Sequence, residues 1–375
     1  MNLKAIIFSV VLILGAGSMA KADNIDAALA KLENFKPSDG TRVLDESLSA
    51  IRTGMATGDT QIWKRLRAII ENPKIPLRVR TEVLRVAIEK ADKPIADDML
   101  SLFDAWSNQL PIPSNSGETR MPETDADGRL TLLGYFVSNL ENDAWRRWIG
   151  NDPKTLGLLE RVIVRTGSGM DLNRYALASL ASSNATREAR RAVAERIVEA
   201  RPGTTEHETK LLELLDVSSC EKLRVLVRRT DDPDRFHFGA AAALAHLGDS
   251  AIRVDLESRL AAFEKKDRNI GGMLRYYLWQ IDVQAPSVKL LDYIAAAPQH
   301  DIEKRKWAVR RAAHLDLATS KIRDAVLKHA SLVQPNPKTR IREGLSSLKT
   351  LCIDLRILDQ SDLPDVRVAQ GNPTP

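Results

Sequence analysis

Apolar residues recur at three- and four-residue spacing along almost the whole chain, the period of a helix with one buried face. The spacing predicts helices over 24–35, 42–56, 60–72, 77–91 and 94–106, then over 130–149, 153–166, 171–182, 186–200 and 205–216. A last group follows over 219–229, 234–247, 249–264, 268–281, 286–296, 301–315, 319–332 and 338–358. Helix-breaking residues fall between these stripes: Pro73, Pro76, Pro94, Pro153, Gly203, Pro233, Gly248, Pro286, Pro298, Pro335 and Pro337. Nothing reads as a run of alternating strand positions, so the fold class expected is all-α.

The helices repeat. Leu247, Ile281 and Leu315 each close a helix at successive intervals of 34 residues, with Asp249, Asp282 and Asp316 just beyond them. Leu215 lies 32 residues before Leu247, and Leu180 lies 35 before Leu215. Ala240, Leu274 and Ala308 share one phase; Leu244, Leu278 and Ala312 share another. The simplest reading is an α-solenoid, a stack of antiparallel helix pairs of about 34 residues each. Ala240–Ala243 suit it, because small side chains let helix axes approach to about 8 Å. Gly248 can take the left-handed conformation that ends a helix, and Asp249 can cap the next one.

The stretch "DDPDRFHFGAAAALAHLGDSAIRVDLESRL" resembles a HEAT repeat of the short kind known from phycobilisome-lyase proteins. Asp231, Asp232, Pro233, Ala241, Ala242, Leu244, Leu247, Gly248 and Asp249 carry the resemblance. It is clear over 231–263 and fainter in "NPKIPLRVRTEVLRVAIEKADKPIADDML" and "HDIEKRKWAVRRAAHLDLATSKIRDAVLKHA". The resemblance implies shape and leaves the partner open.

Two segments depart from the helical pattern at the ends. Residues 1–22, "MNLKAIIFSVVLILGAGSMAKA", have an early lysine, a short apolar run and small residues before Asp23, and read as a secretory signal peptide. Residues 360–375 read as a disordered polar tail. Within the chain, 107–129 is rich in Ser, Pro, Gly and acids and reads as a linker or insertion loop. It separates N-terminal helical repeats over 23–106 from C-terminal HEAT-like repeats over 130–359. Export places the protein in the periplasm or outside the cell, with no transmembrane segment once the signal is removed.

Charge changes this picture little. Removing residues 1–22 takes away Lys4 and Lys21 and no acid, so the net charge falls from +5 to +3. That is a weak argument for a nucleic-acid partner, and export makes it weaker. The two cysteines, Cys220 and Cys352, lie about four repeats apart, over ~25 Å in a stack, and are expected to be free buried thiols.

Candidate chemistry is sparse. None of the six histidines pairs with another at metal-binding helical spacing. His246 and His314 recur at equivalent repeat positions and read as structural or surface residues. "ETDADGRLTLLG" fits part of a calcium loop through Glu123, Asp125, Asp127 and Gly128, but Gly134 stands where a bidentate glutamate is needed. "WRRW" puts Trp145 and Trp148 on one helical side as a candidate aromatic surface. Residues 301–350 hold twelve Lys or Arg against five Asp or Glu. There Lys304, Lys306, Arg310 and Arg311, with Lys338, Arg340 and Arg342, form a candidate surface for an anionic partner.

No nucleophile motif, phosphate-binding glycine loop or cofactor site is present, and the chain is not expected to be an enzyme. The sequence points to an exported, non-catalytic scaffold that binds a protein or peptide partner in the envelope. The alternatives are a binder of anionic envelope lipid or polymer through the basic C-terminal helices, and a degenerate helical enzyme acting on glycans.

Overall fold

Capping residues set the helix limits where the sequence places its polar breaks. Asp92, Asp152, Thr186 and Asp301 each accept a hydrogen bond from a first-turn amide of the helix that follows. Each satisfies one of the donors that a helix start leaves open. The computed structural model describes residues 24–55, 60–111, 127–166, 171–201, 209–284, 288–296, 301–334, 342, 344–359 and 361–362. These form helices and connections, with no strand among the described residues. The expected signal peptide, most of the 107–129 stretch and most of the 360–375 tail lie outside them.

The chain divides into two compact units, residues 1–215 and 216–375. The first holds α1 (24–33), α2 (Gly40–Met55), α3 (Thr60–Glu71), α4 (Leu77–Lys90), α5 (Lys93–Ser107) and α6 (Arg129–Asn139). It continues through α7 (Asp143–Ile149), α8 (Pro153–Arg165), α9 (Asp171–Ser182), α10 (Arg187–Ala200) and the single turn α11 (Thr209–Leu212). In one layer α2, α4, α6, α9 and α11 each pack on the next; in the other α5 packs on α8 and α8 on α10. The pairs α3–α4, α5–α6 and α8–α9 join the layers. Helices that pack in two such layers, with the short α7 inserted beside α5, are stacked as pairs, the packing of an α-solenoid. Helices on either side of 107–129 belong to one packed body, since α4 touches α6 and α5 touches α8. The stripe over 130–149 is two helices, because Asn142 caps a new start at Asp143.

The second unit holds α12 (Cys220–Arg228), α13 (Phe238–Leu247), α14 (Arg253–Lys266) and α15 (Arg268–Gln284). It ends with α16 (Val288–Ala295), α17 (Ile302–His314), α18 (Thr319–Leu332) and α19 (Leu345–Asp354). Pairs α12–α13, α14–α15 and α16–α17 lie side by side, while α13 packs on α15, α16 on α18 and α17 on α19. Arginine–aspartate pairs tie α12 to the start of the α14 segment, Arg224 with Asp249 at 2.7 Å and Arg228 with Asp255 at 2.9 Å. Both cysteines are free and buried, and burial pushes the Cys352 thiol up to about 12.

Helix α13 is where the alanines act. Every side chain from Ala240 to Ala245 is buried, so the helix is enclosed on all sides. Its end is capped as the sequence indicates: Gly248 has φ 71°, and Asp249 accepts the Ala251 amide. A side chain on Gly248 would also press on Gln284, whose side-chain atoms lie 3.3 Å from the position a Cβ would take.

Buried and half-buried arginines do a second structural job. Arg80 is the fourth residue of α4, and its Nε donates to the Ile70 carbonyl at the end of α3. Arg190 is the fourth residue of α10, and it donates to Ala181 at the end of α9. Arg305 is the fourth residue of α17, and it donates to Tyr293, Ile294 and Ala296 at the end of α16. The last carbonyls of a helix have no partner within it. In these three connections an arginine one turn into the next helix reaches back and supplies one.

Two outcomes follow for stability. Arg305→Met takes the guanidinium away from three carbonyls, that of the buried Ile294 among them, and should lower unfolding free energy by about 2–4 kcal/mol. Arg305→Lys should recover less than half of that, since an ammonium lacks the fork; urea denaturation of both variants measures it. Ala243→Leu adds three carbons to a filled contact and should cost about 1–3 kcal/mol. An unchanged melting temperature would contradict the close packing of α13.

Candidate functional site

The second unit carries a cluster of aromatic rings that reaches its surface. Tyr276 and Trp279 stand three residues apart on α15, so they share one side of that helix. Their rings stack with centroids 5.4 Å apart. Trp279 also meets Tyr293 of α16 at 5.1 Å and Trp307 of α17 edge-on at 5.3 Å. The Lys304 ammonium lies 5.2 Å from the Trp279 ring centroid. Trp307 is nearly buried, whereas Tyr276, Trp279 and Tyr293 are half-buried. Three helices thus bring indole and phenol rings to one place, with a cation against the central one. Such a surface suits an aromatic or aliphatic side chain, with an acidic neighbour near Lys304.

The basic run on α17 is not the open surface that its sequence suggests. Lys304 pairs with Asp301 at 3.0 Å and Lys306 with Glu303 at 2.9 Å, each an acid one turn back. Arg310 is half-buried. Arg311 is buried: its Nε donates to Gln284 Oε1 at 2.7 Å and its Nη1 lies 3.4 Å from His246 Nε2. Gln284 in turn donates to the Ala245 carbonyl at the end of α13. Arg311 therefore links α17 to α13 through α15. Arg342 is half-buried, and Lys338 and Arg340 lie outside the described residues.

Trp145 is likewise a core residue rather than part of a surface. It is 2% exposed, packs edge-on to Phe136 at 5.5 Å and donates its indole N–H to the Ile88 carbonyl. Phe136 stacks on Phe103 at 4.3 Å, so Trp145 closes an aromatic seam between α5, α6 and α7. Trp148 is half-buried against it. Of the partial calcium loop, Glu123 and Asp125 lie outside the described residues, and the Asp127 carboxylate pairs with Arg129 at 3.0 Å. No group of three or more metal-ligating side chains occurs among the described residues.

Tyr276, Trp279 and Tyr293 escaped the reading of the sequence, although "YYLW" sets three rings within four residues of a chain that is 5% aromatic. Arg305 escaped it too, since a charge beside Lys304 and Lys306 reads as surface.

His246 lies behind the cluster, 3% exposed, its ring 6.4 Å from Trp307 and 6.1 Å from the exposed His314. Arginine cannot accept a hydrogen bond, so Nε2 is the acceptor and the proton sits on Nδ1, which is buried without a hydrogen-bond partner among the described residues. Burial, with Arg311 and His314 nearby, pulls its pKa from 6.5 down to about 3. The folded protein thus excludes a proton that the unfolded chain accepts below pH 6.5. The stability this imidazole confers is complete above pH ~6.5 and is lost as the pH falls toward its folded value. Between pH ~6 and ~4 it should steepen the loss of unfolding free energy by about 1.4 kcal/mol per pH unit. His246→Gln removes that share, so denaturation profiles of the two proteins should converge in acid; parallel profiles would refute the assignment. Comparison with protein-family models, curated proteins and solved structures finds no match to this chain.

Proposed function

We propose that this protein is an exported HEAT-like repeat protein that acts as a non-catalytic scaffold and binds a protein or peptide segment of the envelope. The observation that carries the reading is the half-buried ring cluster centred on Trp279, built on helices α15, α16 and α17. Partly exposed aromatic groups held rigidly by a repeat framework are the usual anchors of peptide recognition. The cluster supplies apolar contact area, and Lys304 sets the sign of charge preferred beside it. The sequence of residues 1–22 supports export, and the 34-residue periodicity supports the repeat family.

The anionic-lipid or polymer reading draws less support, because Lys304 and Lys306 already face Asp301 and Glu303 and Arg311 is inside the protein. Capture from envelope extract at about 50 and 500 mM salt separates the two readings, since screening over a Debye length weakens only the charged contact. Specific capture should survive high salt and fall at least about tenfold with Tyr276→Ala at unchanged melting temperature, and with Trp279→Ala measured well below its own, lower, melting temperature. Capture that vanishes in high salt, or that both variants retain, defeats the proposal.

A further inference from the structure

The first unit holds a pocket of about 400 Å³ beside the start of α4, lined by residues of that unit. The volume lies in the range of small-molecule sites, about 300–1,000 Å³. Its charges are mostly of one sign. Lys36 and Lys74 line it from two connections, both exposed, and neither side chain has an ion pair among the described residues. Arg80, only 2% exposed, forms part of its wall, held by its Nε bond to Ile70 O and by a bond from Nη1 to the carbonyl of Asp127. The one acid in the lining, Asp127, is already paired with Arg129.

One helix start adds to this positive field. Helix α4 begins at Leu77 behind Pro76 with no side-chain cap from its N-cap residue. The positive end of its dipole lies at the lining; the start of α6 is capped, since the Asp127 carboxylate accepts the Arg129 amide at 3.1 Å. Gly128, with φ 71°, makes the approach possible. A Cβ there would lie 2.5 Å from Leu77 Cδ1 and 3.1 Å from Arg80 Nη1. Phe35, Ile75 and Leu77 give the pocket an apolar side.

From three cations, one neutralised acid and an apolar wall in one cavity, we infer that this pocket binds a small organic anion, a phosphate or carboxylate headgroup carrying a short hydrocarbon part. Lys36 and Lys74 hold the headgroup at the mouth, and Phe35 and Leu77 cover the hydrocarbon. The headgroup is that of a free ester or acid, or that of a lipid.

The test is titration calorimetry of the full chain with octyl phosphate and with inorganic phosphate at constant ionic strength. Octyl phosphate should bind more tightly than inorganic phosphate. The exposed double variant Lys36→Glu/Lys74→Glu should keep the melting temperature of the ligand-free protein and weaken octyl phosphate binding at least about tenfold. Trp279→Ala should leave it unchanged, which keeps this result independent of the peptide-binding proposal. Co-sedimentation with phosphatidylcholine vesicles containing phosphatidic acid, lost in the double variant, identifies the lipid source; calorimetric binding without co-sedimentation identifies a free anion. Absence of binding in both assays, or binding that the double variant retains, overturns the inference.

Discussion

A helix buried by neighbours on several sides carries its last carbonyls into the protein, where water cannot reach them and each unpaired group costs about 1–3 kcal/mol. This chain meets that constraint with long polar side chains sent back from the next helix. Arg80, Arg190 and Arg305 do so from the same place, the fourth residue of a helix that follows a short connection. Asn173, the third residue of α9, does the same for Ile163 and Thr166 at the end of α8. Arg165 donates from the end of α8 to carbonyls of Asn108 and Leu110 just beyond α5. A guanidinium suits the task because its fork reaches several carbonyls at once and stays charged, even though burial lowers the affinity of Arg305 for its proton.

The same constraint explains why charge was a poor guide to function. Part of the basic excess of "KRKWAVRR" is spent inside the protein, on helix ends and on the Arg311–Gln284–Ala245 link. Another part is matched by acids one turn back. At the ring cluster the Lys304 ammonium, itself paired with Asp301, lies against Trp279, and there the ring matters as much as the charge. In the first unit the balance differs: Lys36 and Lys74 meet no acid partner among the described residues, and Asp127 is taken by Arg129.

Much of the fold was legible because it rests on local rules. The 3.6-residue period, Gly248 at φ 71° and the caps at Asp152, Asp249 and Asp301 act within a few residues, and the helix starts and stops follow them. The break at Asn142 was missed because a continuous apolar stripe outweighed one capping residue. The sites were less legible for a different reason. Trp279 gains its meaning from Tyr293 and Trp307, which are 14 and 28 residues away, and only packing brings them to it. Trp145 looked available for binding, and what buries it is Phe136 and the Ile88 carbonyl, contacts that no spacing rule contains. The arginine at the fourth helical position is a pattern that sequence does carry, but it becomes readable only once its carbonyl partners are known.

Repeat architecture also shapes where binding can arise. Helices are enclosed by their pair and their layer neighbours, so a helix such as α13, buried at every residue from Gly239 to His246, has nothing left to offer a ligand. Function must come from residues that the stack does not use. Two such kinds stand out: large half-buried rings, as at Trp279, and connections whose cations have no ion pair among the described residues, as at Lys36 and Lys74. The first is the surface we propose for a side chain presented by another protein, the second the pocket we propose for a small charged molecule. The two draw on different residues, Lys36 and Lys74 in one case and Tyr276 and Trp279 in the other, so each is open to substitution with the residues of the other left in place.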